Sequence, residues 1–264
     1  MAPVPPDQDL AQAIETLKRS QAMLEPVLAS FERRLRQFGA DPKSLFWKNK
    51  EWQTRRYDIL SRLFDDADRQ GGVTIIDYGC GYGAFFDYLK DRPVMDDSRY
   101  IGIDMSAAMI AEAENRIHDP RAEFQRHLIA TEDADYTFVC GTYNMNLGAD
   151  EGEWVDYIEA SLEQLWSRTR KALGFNMLRS DAAEKYPGLY YADGREFLEF
   201  CKQSLGPDVS FTEDRPLPDF TIFVRRDLLS SGVRLPSLAE LTRWDWAAES
   251  YVEPSARPGG AWVD

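Results

Sequence analysis

The sequence predicts an α/β fold: a seven-stranded, doubly wound sheet closed by a terminal antiparallel strand and preceded by N-terminal helices. Three observations carry this reading. The apolar run Val73-Thr74-Ile75-Ile76 leads into a turn punctuated by Gly79, Gly81 and Gly83, and an amphipathic segment follows, which is strand, turn and helix in that order. Strand-like and helix-like patterns then alternate as far as Leu178, as expected of parallel strands joined by helical crossovers. The last two strand patterns, residues 209–212 and 220–225, are joined by a linker too short for a crossover, so they must pair antiparallel.

Taken in order, residues 1–6 hold three prolines and read as disordered. From Leu10, apolar residues recur at spacings of four and three through Ile14, Leu17, Leu24, Leu28, Phe31, Leu35 and Phe38, with Gln21 as the polar interruption. Pro26 predicts a kink or a split in that helix. Such a seam suits either a helix-pair contact in a homodimer or an amphipathic hairpin lying on its own domain, and the break at Pro26 favours the hairpin. Gly39 ends the helix, and Asp41-Pro42 opens a loop. A further helix is expected over about residues 51–69, with Trp52, Tyr57, Ile59, Leu60, Leu63 and Phe64 on its apolar face.

The second strand, Arg99 to Ile103, ends at Asp104, 21 residues beyond Gly83. Ser106 is placed to cap a helix over 107–117. The third strand falls at 122–125 and the fourth at 135–140, which delivers Gly141-Thr142-Tyr143-Asn144-Met145-Asn146 to the edge of the sheet. Asp150-x-x-Glu153 is a capping box for a helix expected to reach about Lys171, before a fifth strand over 172–178. Asp193 and Glu196 match a second capping box, for a helix over 195–202. Beyond the last strand, Pro236-Ser237-x-x-Glu240 starts a short helix, and Trp244, Trp246 and Tyr251 need cover. This divides the chain into a helical segment (1–44), a central domain (45–226) and a C-terminal extension packed on it (227–264).

Composition narrows the function classes. The 264 residues carry a formal charge of −14, which repels phosphate backbones and anionic membranes and makes nucleic acid a poor substrate. The three cysteines, Cys80, Cys140 and Cys201, are widely spaced and form no Cys-x-x-Cys pair, so neither a zinc site nor a disulfide framework is expected. With two histidines, a histidine-based metal site is not expected either. No signal peptide or membrane span is read, and a reducing cytoplasm is the expected compartment.

The glycine turn carries the chemistry. Ligands of open α/β sheets bind at the carboxyl ends of the strands, where Asp77 sits two residues before the first glycine. A carboxylate there suits a cofactor with a cationic amino group and suits a pyrophosphate poorly. Gly79-x-Gly81-x-x-Ala84 also satisfies the looser dinucleotide fingerprint, so NAD stays open on the glycines alone. The pattern Asp77-x-Gly79-x-Gly81-x-Gly83 resembles motif I of the class I S-adenosylmethionine (SAM) methyltransferases, a Rossmann-like family, and the closing antiparallel strand resembles that family's topology and not that of the dinucleotide dehydrogenases. Phe46-Trp47, Gly141-Thr142-Tyr143-Asn144, Gly174-Phe175-Asn176 and Leu189-Tyr190-Tyr191-Ala192-Asp193 look like a group of small bacterial methyltransferases.

The resemblance implies SAM as cofactor, with Asp77 facing its methionine end and Asp104 its ribose hydroxyls. Gly79, Cys80, Gly81, Gly83 and Met105 would line it, and Arg56 would clamp its carboxylate. The Gly-Asp pair that relatives place near adenine is absent after the third strand, so adenine contacts fall to backbone groups or to His127 or Leu128. Tyr143 and Asn144 are expected to position the acceptor, with Trp47, Asn146, Tyr190 and Tyr191 around it. A wall of tyrosines and amides suits a small polar molecule such as a sugar or metabolite. The implied reaction is an in-line methyl transfer, and no Asn-Pro-Pro-Tyr motif of amino methyltransferases is present. Two alternatives remain at this stage: a SAM-binding or interaction protein without catalysis, and an NAD-dependent oxidoreductase.

Overall fold

A computed structural model describes residues 6–226 of the chain, with side chains described from Leu10 onward. The strands are β1 (Thr74–Tyr78), β2 (Arg99–Asp104), β3 (Ala122–Arg126), β4 (Ala134–Cys140), β5 (Thr169–Leu178), β6 (Val209–Glu213) and β7 (Asp219–Arg225). They form one sheet in the order β3-β2-β1-β4-β5-β7-β6. Neighbours from β3 to β5 are parallel, while β7 lies antiparallel to both β5 and β6. The helices are α1 (Pro6–Phe38), α2 (Lys50–Leu60), α3 (Ala84–Leu89), α4 (Ala107–Arg116), α5 (Glu151–Ser167) and α6 (Gly194–Phe200). The expected short helix at Pro236 and the residues Trp244, Trp246 and Tyr251 lie outside the described residues, as do residues 1–5.

The period of two in the strands sends side chains to two cores. Ile76, Tyr78, Ile101 and Ile103 pack on the face that carries α1 and α5, with Trp154 and Tyr157 at its centre. Ile75 and Tyr100 pack on the other face, with Tyr57, Leu60, Phe85 and Phe86 from α2 and α3. The caps read from the sequence are in place. Ser106 accepts from Met109 N at 3.2 Å, Asp150 from Glu153 N at 3.1 Å, and Asp193 from Arg195 N at 2.8 Å.

Three local expectations are corrected. Pro26 does not split the N-terminal helix into a hairpin; α1 is one helix of 33 residues. Pro26 itself is exposed, while Leu24 and Val27 beside it share a core with Trp154 and Ile158 of α5, so packing carries the helix past the missing hydrogen bond. The buried stripe runs Leu10, Ala13, Leu17, Ser20, Leu24, Val27, and α5 covers it within the chain. The helix expected to reach Lys171 stops at Ser167, because Thr169 turns its hydroxyl onto Leu165 O at 2.8 Å and its backbone into β5. The helix expected over 51–69 ends at Leu60 and continues only as short 3₁₀ turns.

Candidate active site

The carboxyl ends of β1, β2 and β4 open into one cavity. Its floor is Asp77, Gly79, Cys80 and Gly81 from β1 and its turn, Ile103 to Ser106 from β2, and Cys140 to Thr142 from β4. The turn holds left-handed backbone at Gly79 (φ +77°) and Gly81 (φ +55°), which a residue with a Cβ takes only under strain. Gly79 also passes so close to Thr142 that a Cβ would stand 2.2 Å from its Oγ1.

Asp77 is 2% exposed and accepts a hydrogen bond of 2.5 Å from Tyr100 Oη. Among the described residues no cation pairs with it. Burial pushes its carboxyl up to about 7; the Tyr100 hydroxyl opposes this and the Asp104 charge adds to it. A buried carboxylate at the cavity floor is suited to an ammonium group. Asp104 accepts from Gly81 N at 2.9 Å and Ser106 N at 2.8 Å, so it braces the glycine turn while facing the same cavity. Burial raises its pKa, those backbone N–H groups lower it, and Glu32 on α1 raises it. Met105 and His127 line the cavity, and Leu128 is buried in the core.

A second cavity opens beside the first, lined by Trp47, Trp52, Arg56, Asn144, Leu178, Arg179 and Tyr191 among others. The two share four lining residues, Phe31, Leu45, Trp47 and Gly141. Trp47 is the partition: a Cβ on Gly141 would lie 2.4 Å from its Cη2.

The structure sorts the residues singled out in the sequence. Asp77, Gly79, Cys80, Gly81, Asp104 and Met105 come together in the first cavity. Gly83 does not line it; its missing side chain makes room for Ile117 and Phe124. Arg56 lines the second cavity instead of the first. Its guanidinium lies 2.5 Å from the Asp219 carboxylate, donates to Trp52 O at 3.1 Å, and sits over the Trp47 ring. From the lining of the second cavity it is not placed to clamp a cofactor carboxylate above Asp77.

On the acceptor side, Trp47, Asn144 and Tyr191 line the second cavity. Asn144 also accepts from Leu178 N at 3.0 Å, tying the loop after β4 to the end of β5. Tyr143 is fully buried in the core, with its hydroxyl 2.7 Å from Ser161 Oγ, so it cannot touch an acceptor. Tyr190 is buried in the same core, and Asn146 is a turn residue accepting from Gly148 N. The expected wall of tyrosines and amides is therefore present only in part, as Asn144, Tyr186 and Tyr191, and tryptophans, aliphatic residues and arginines make up much of the rest of the lining.

Sequence reading missed the roof. Leu24, Val27, Leu28 and Phe31 of α1 cover the first cavity. Their periodic spacing was legible, but a period identifies a face and not what it covers. Among the described residues no helix is long and apolar enough to cross a membrane, and no group of three or more His, Cys, Asp or Glu residues could hold a metal ion.

Comparison with known proteins agrees with this geometry. Residues 75–171 match the family described as "Methyltransferase domain". Over 168 residues the chain is 37% identical to a protein of Mycobacterium tuberculosis (strain ATCC 25618 / H37Rv) that carries the name of a methyltransferase, Rv1506c; the match covers 62% of this chain and 98% of that protein. The chain belongs to the class I SAM-dependent methyltransferases, a family of enzymes. That membership replaces the NAD-dependent reading. In fold, the chain is similar to magnesium protoporphyrin IX methyltransferase (ChlM) from Synechocystis PCC 6803 with bound SAH, at TM-score 0.55 and 12% identity over 80% of this chain and 99% of the other. It is also similar to DhpI in its SAM-HEP complex, at TM-score 0.54 and 16% identity over 78% of this chain and 99% of the other.

Proposed function

We propose that the enzyme binds SAM in the first cavity and methylates a small molecule held in the second. The observation that supports this best is the meeting of the two cavities at Phe31, Leu45, Trp47 and Gly141. The residues of the first cavity fit the cofactor. Asp77 supplies the anion for its ammonium group, Asp104 has acceptor capacity left for ribose hydroxyls, and the apolar face of α1 covers it. Bound there, SAM supplies an electrophilic methyl group. Residues 45–226 then form the catalytic domain, with the described part of the N-terminal segment, residues 6–44, as its cover.

The chain's contribution is placement and dryness. The four shared residues are apolar and offer no side chain that can take a proton. Catalysis therefore rests on in-line alignment of the acceptor along the Trp47 partition and on exclusion of water there. A bounded cavity beneath an acidic surface suits a small molecule better than a nucleic acid. The test is titration calorimetry with S-adenosylhomocysteine and NAD, followed by transfer of labelled methyl to a small-molecule panel. S-adenosylhomocysteine binding, silent NAD and labelled low-molecular-weight product are expected. NAD binding without S-adenosylhomocysteine binding overturns the cofactor reading, and label found only in macromolecules overturns the acceptor reading.

A further inference from the structure

We propose that the acceptor is an organic anion, a flat apolar body carrying a carboxylate or phosphate head, and that Lys48, Arg56 and Arg179 recognise the head. This rests on the methyl-transfer reading above and names the substrate class of the same site. The first observation is charge. The chain as a whole carries −14, yet the lining of the second cavity holds Lys48, Arg56, Arg179 and Arg215 against a single carboxylate, Glu184. Glu184 itself is engaged, accepting from Tyr186 Oη at 2.9 Å.

The second observation is how the arginines are held. Arg56 pairs with Asp219, and Arg179 pairs with Glu213 at 2.8 Å and Asp181 at 3.3 Å. None of those three carboxylates lines the second cavity, so they brace the guanidinium groups without closing off the space between them. The two side chains are only 5% and 9% exposed, and the Nε of Arg179 has no hydrogen-bond acceptor. Buried donors without acceptors are rare because each forfeits its hydration, and an incoming oxyanion satisfies such donors with charge-assisted bonds.

The third observation is the body of the cavity. Trp47, Trp52, Met145, Leu178, Leu189 and Leu217 wall it. Lys48 holds its ammonium 4.8 Å from the centre of the Trp52 ring, and no carboxylate lies within ion-pair distance of it among the described residues. A neutral sugar would leave the Lys48 ammonium without an anion and the flat indoles without a flat apolar partner. An aryl acid answers both.

The test uses the full chain loaded with S-adenosylhomocysteine and three probes of one shape: 2-naphthoate, 2-naphthyl phosphate and the neutral 2-naphthamide. Binding is read by calorimetry or ligand-observed NMR. At least one acid is expected to bind about tenfold or more tightly than the amide, and the ranking of the two acids assigns the head group. Lys48→Gln, at an exposed position that leaves folding intact, should weaken the better acid severalfold while leaving the amide unchanged, and Arg179→Gln should do the same more strongly. Equal binding of acids and amide, no binding of either acid, or acid affinity untouched in Lys48→Gln overturns the proposal. S-adenosylhomocysteine affinity is titrated separately: its absence counts against the methyl-transfer reading, whereas failed discrimination in the loaded protein counts only against the anionic acceptor.

Discussion

Trp47 rests on Gly141, with its ring edge in the space where any other residue's Cβ would stand, 2.4 Å from Cη2. One residue comes from the loop before α2 and the other from the turn after β4, nearly a hundred positions later. Their contact sets the boundary between the first cavity and the second.

Gly141→Ala is the direct test of that boundary. Gly141 is left-handed (φ +70°), so alanine meets both backbone strain and the indole. A stability loss of about 1–3 kcal/mol is expected in urea or thermal denaturation. Turnover should fall much further than S-adenosylhomocysteine affinity, because Trp47 must shift. Adding Trp47→Ala should recover the part of the stability loss due to the clash and none of the turnover. Wild-type turnover in Gly141→Ala would show that the partition plays no part.

Asp77 should trade stability for binding. Its folded pKa of about 7 lies above the unfolded value of about 3.9. Between those values the native state holds a proton that the unfolded chain has released, so Asp77 disfavours folding increasingly as pH rises, and fully above about 7. Asp77→Asn should therefore be more stable than wild type at pH 8 and nearly equal at pH 4. Its S-adenosylhomocysteine affinity should fall by about 1–3 kcal/mol. Below about pH 7 the wild type should release a proton on binding, seen as calorimetric heats that change with the buffer's ionisation enthalpy. Buffer-independent heats at pH 6 would refute this role.

The Arg56–Asp219 pair ties α2 to β7 with side chains 5% and 4% exposed. Burial raises the Asp219 pKa and the Arg56 charge opposes the rise. Asp219→Ala strands a buried guanidinium and should cost about 3–5 kcal/mol in denaturant unfolding. A loss below about 1 kcal/mol, the range of an exposed pair, would mean that water reaches the site freely.

Tyr143→Phe separates a core role from a catalytic one. Its hydroxyl meets Ser161 inside the core, and burial holds the phenol well above its usual range. The variant should lose about 0.5–1.5 kcal/mol of stability with methyl transfer essentially unchanged. A large loss of turnover in a protein of wild-type stability would return Tyr143 to the active site.

The fold was legible because its signals are local. The apolar run before Asp77, the glycines that must take left-handed backbone, and the caps at Ser106, Asp150 and Asp193 each act within a few residues. The short linker before β7 forced the antiparallel closure for the same reason. The floor of the first cavity followed, since strand ends in such a sheet converge on one edge.

The acceptor side was decided by tertiary structure. Tyr143 and Asn144 are adjacent in a loop composed as a pocket loop should be, yet the first turns into the core and the second to the cavity. Arg56 looked free for a cofactor until Asp219, 163 residues later, came to lie beside it. The apolar seam of α1 suits either a second chain or its own domain, and within this chain it packs on α5 and over the first cavity. Sequence alone determined the sheet, its glycine turn and the acid at the floor of the first cavity, because backbone conformation and strand period are set by neighbouring residues. Which side chains meet across the cavities depends on contacts between distant segments, and only the packed chain decides those.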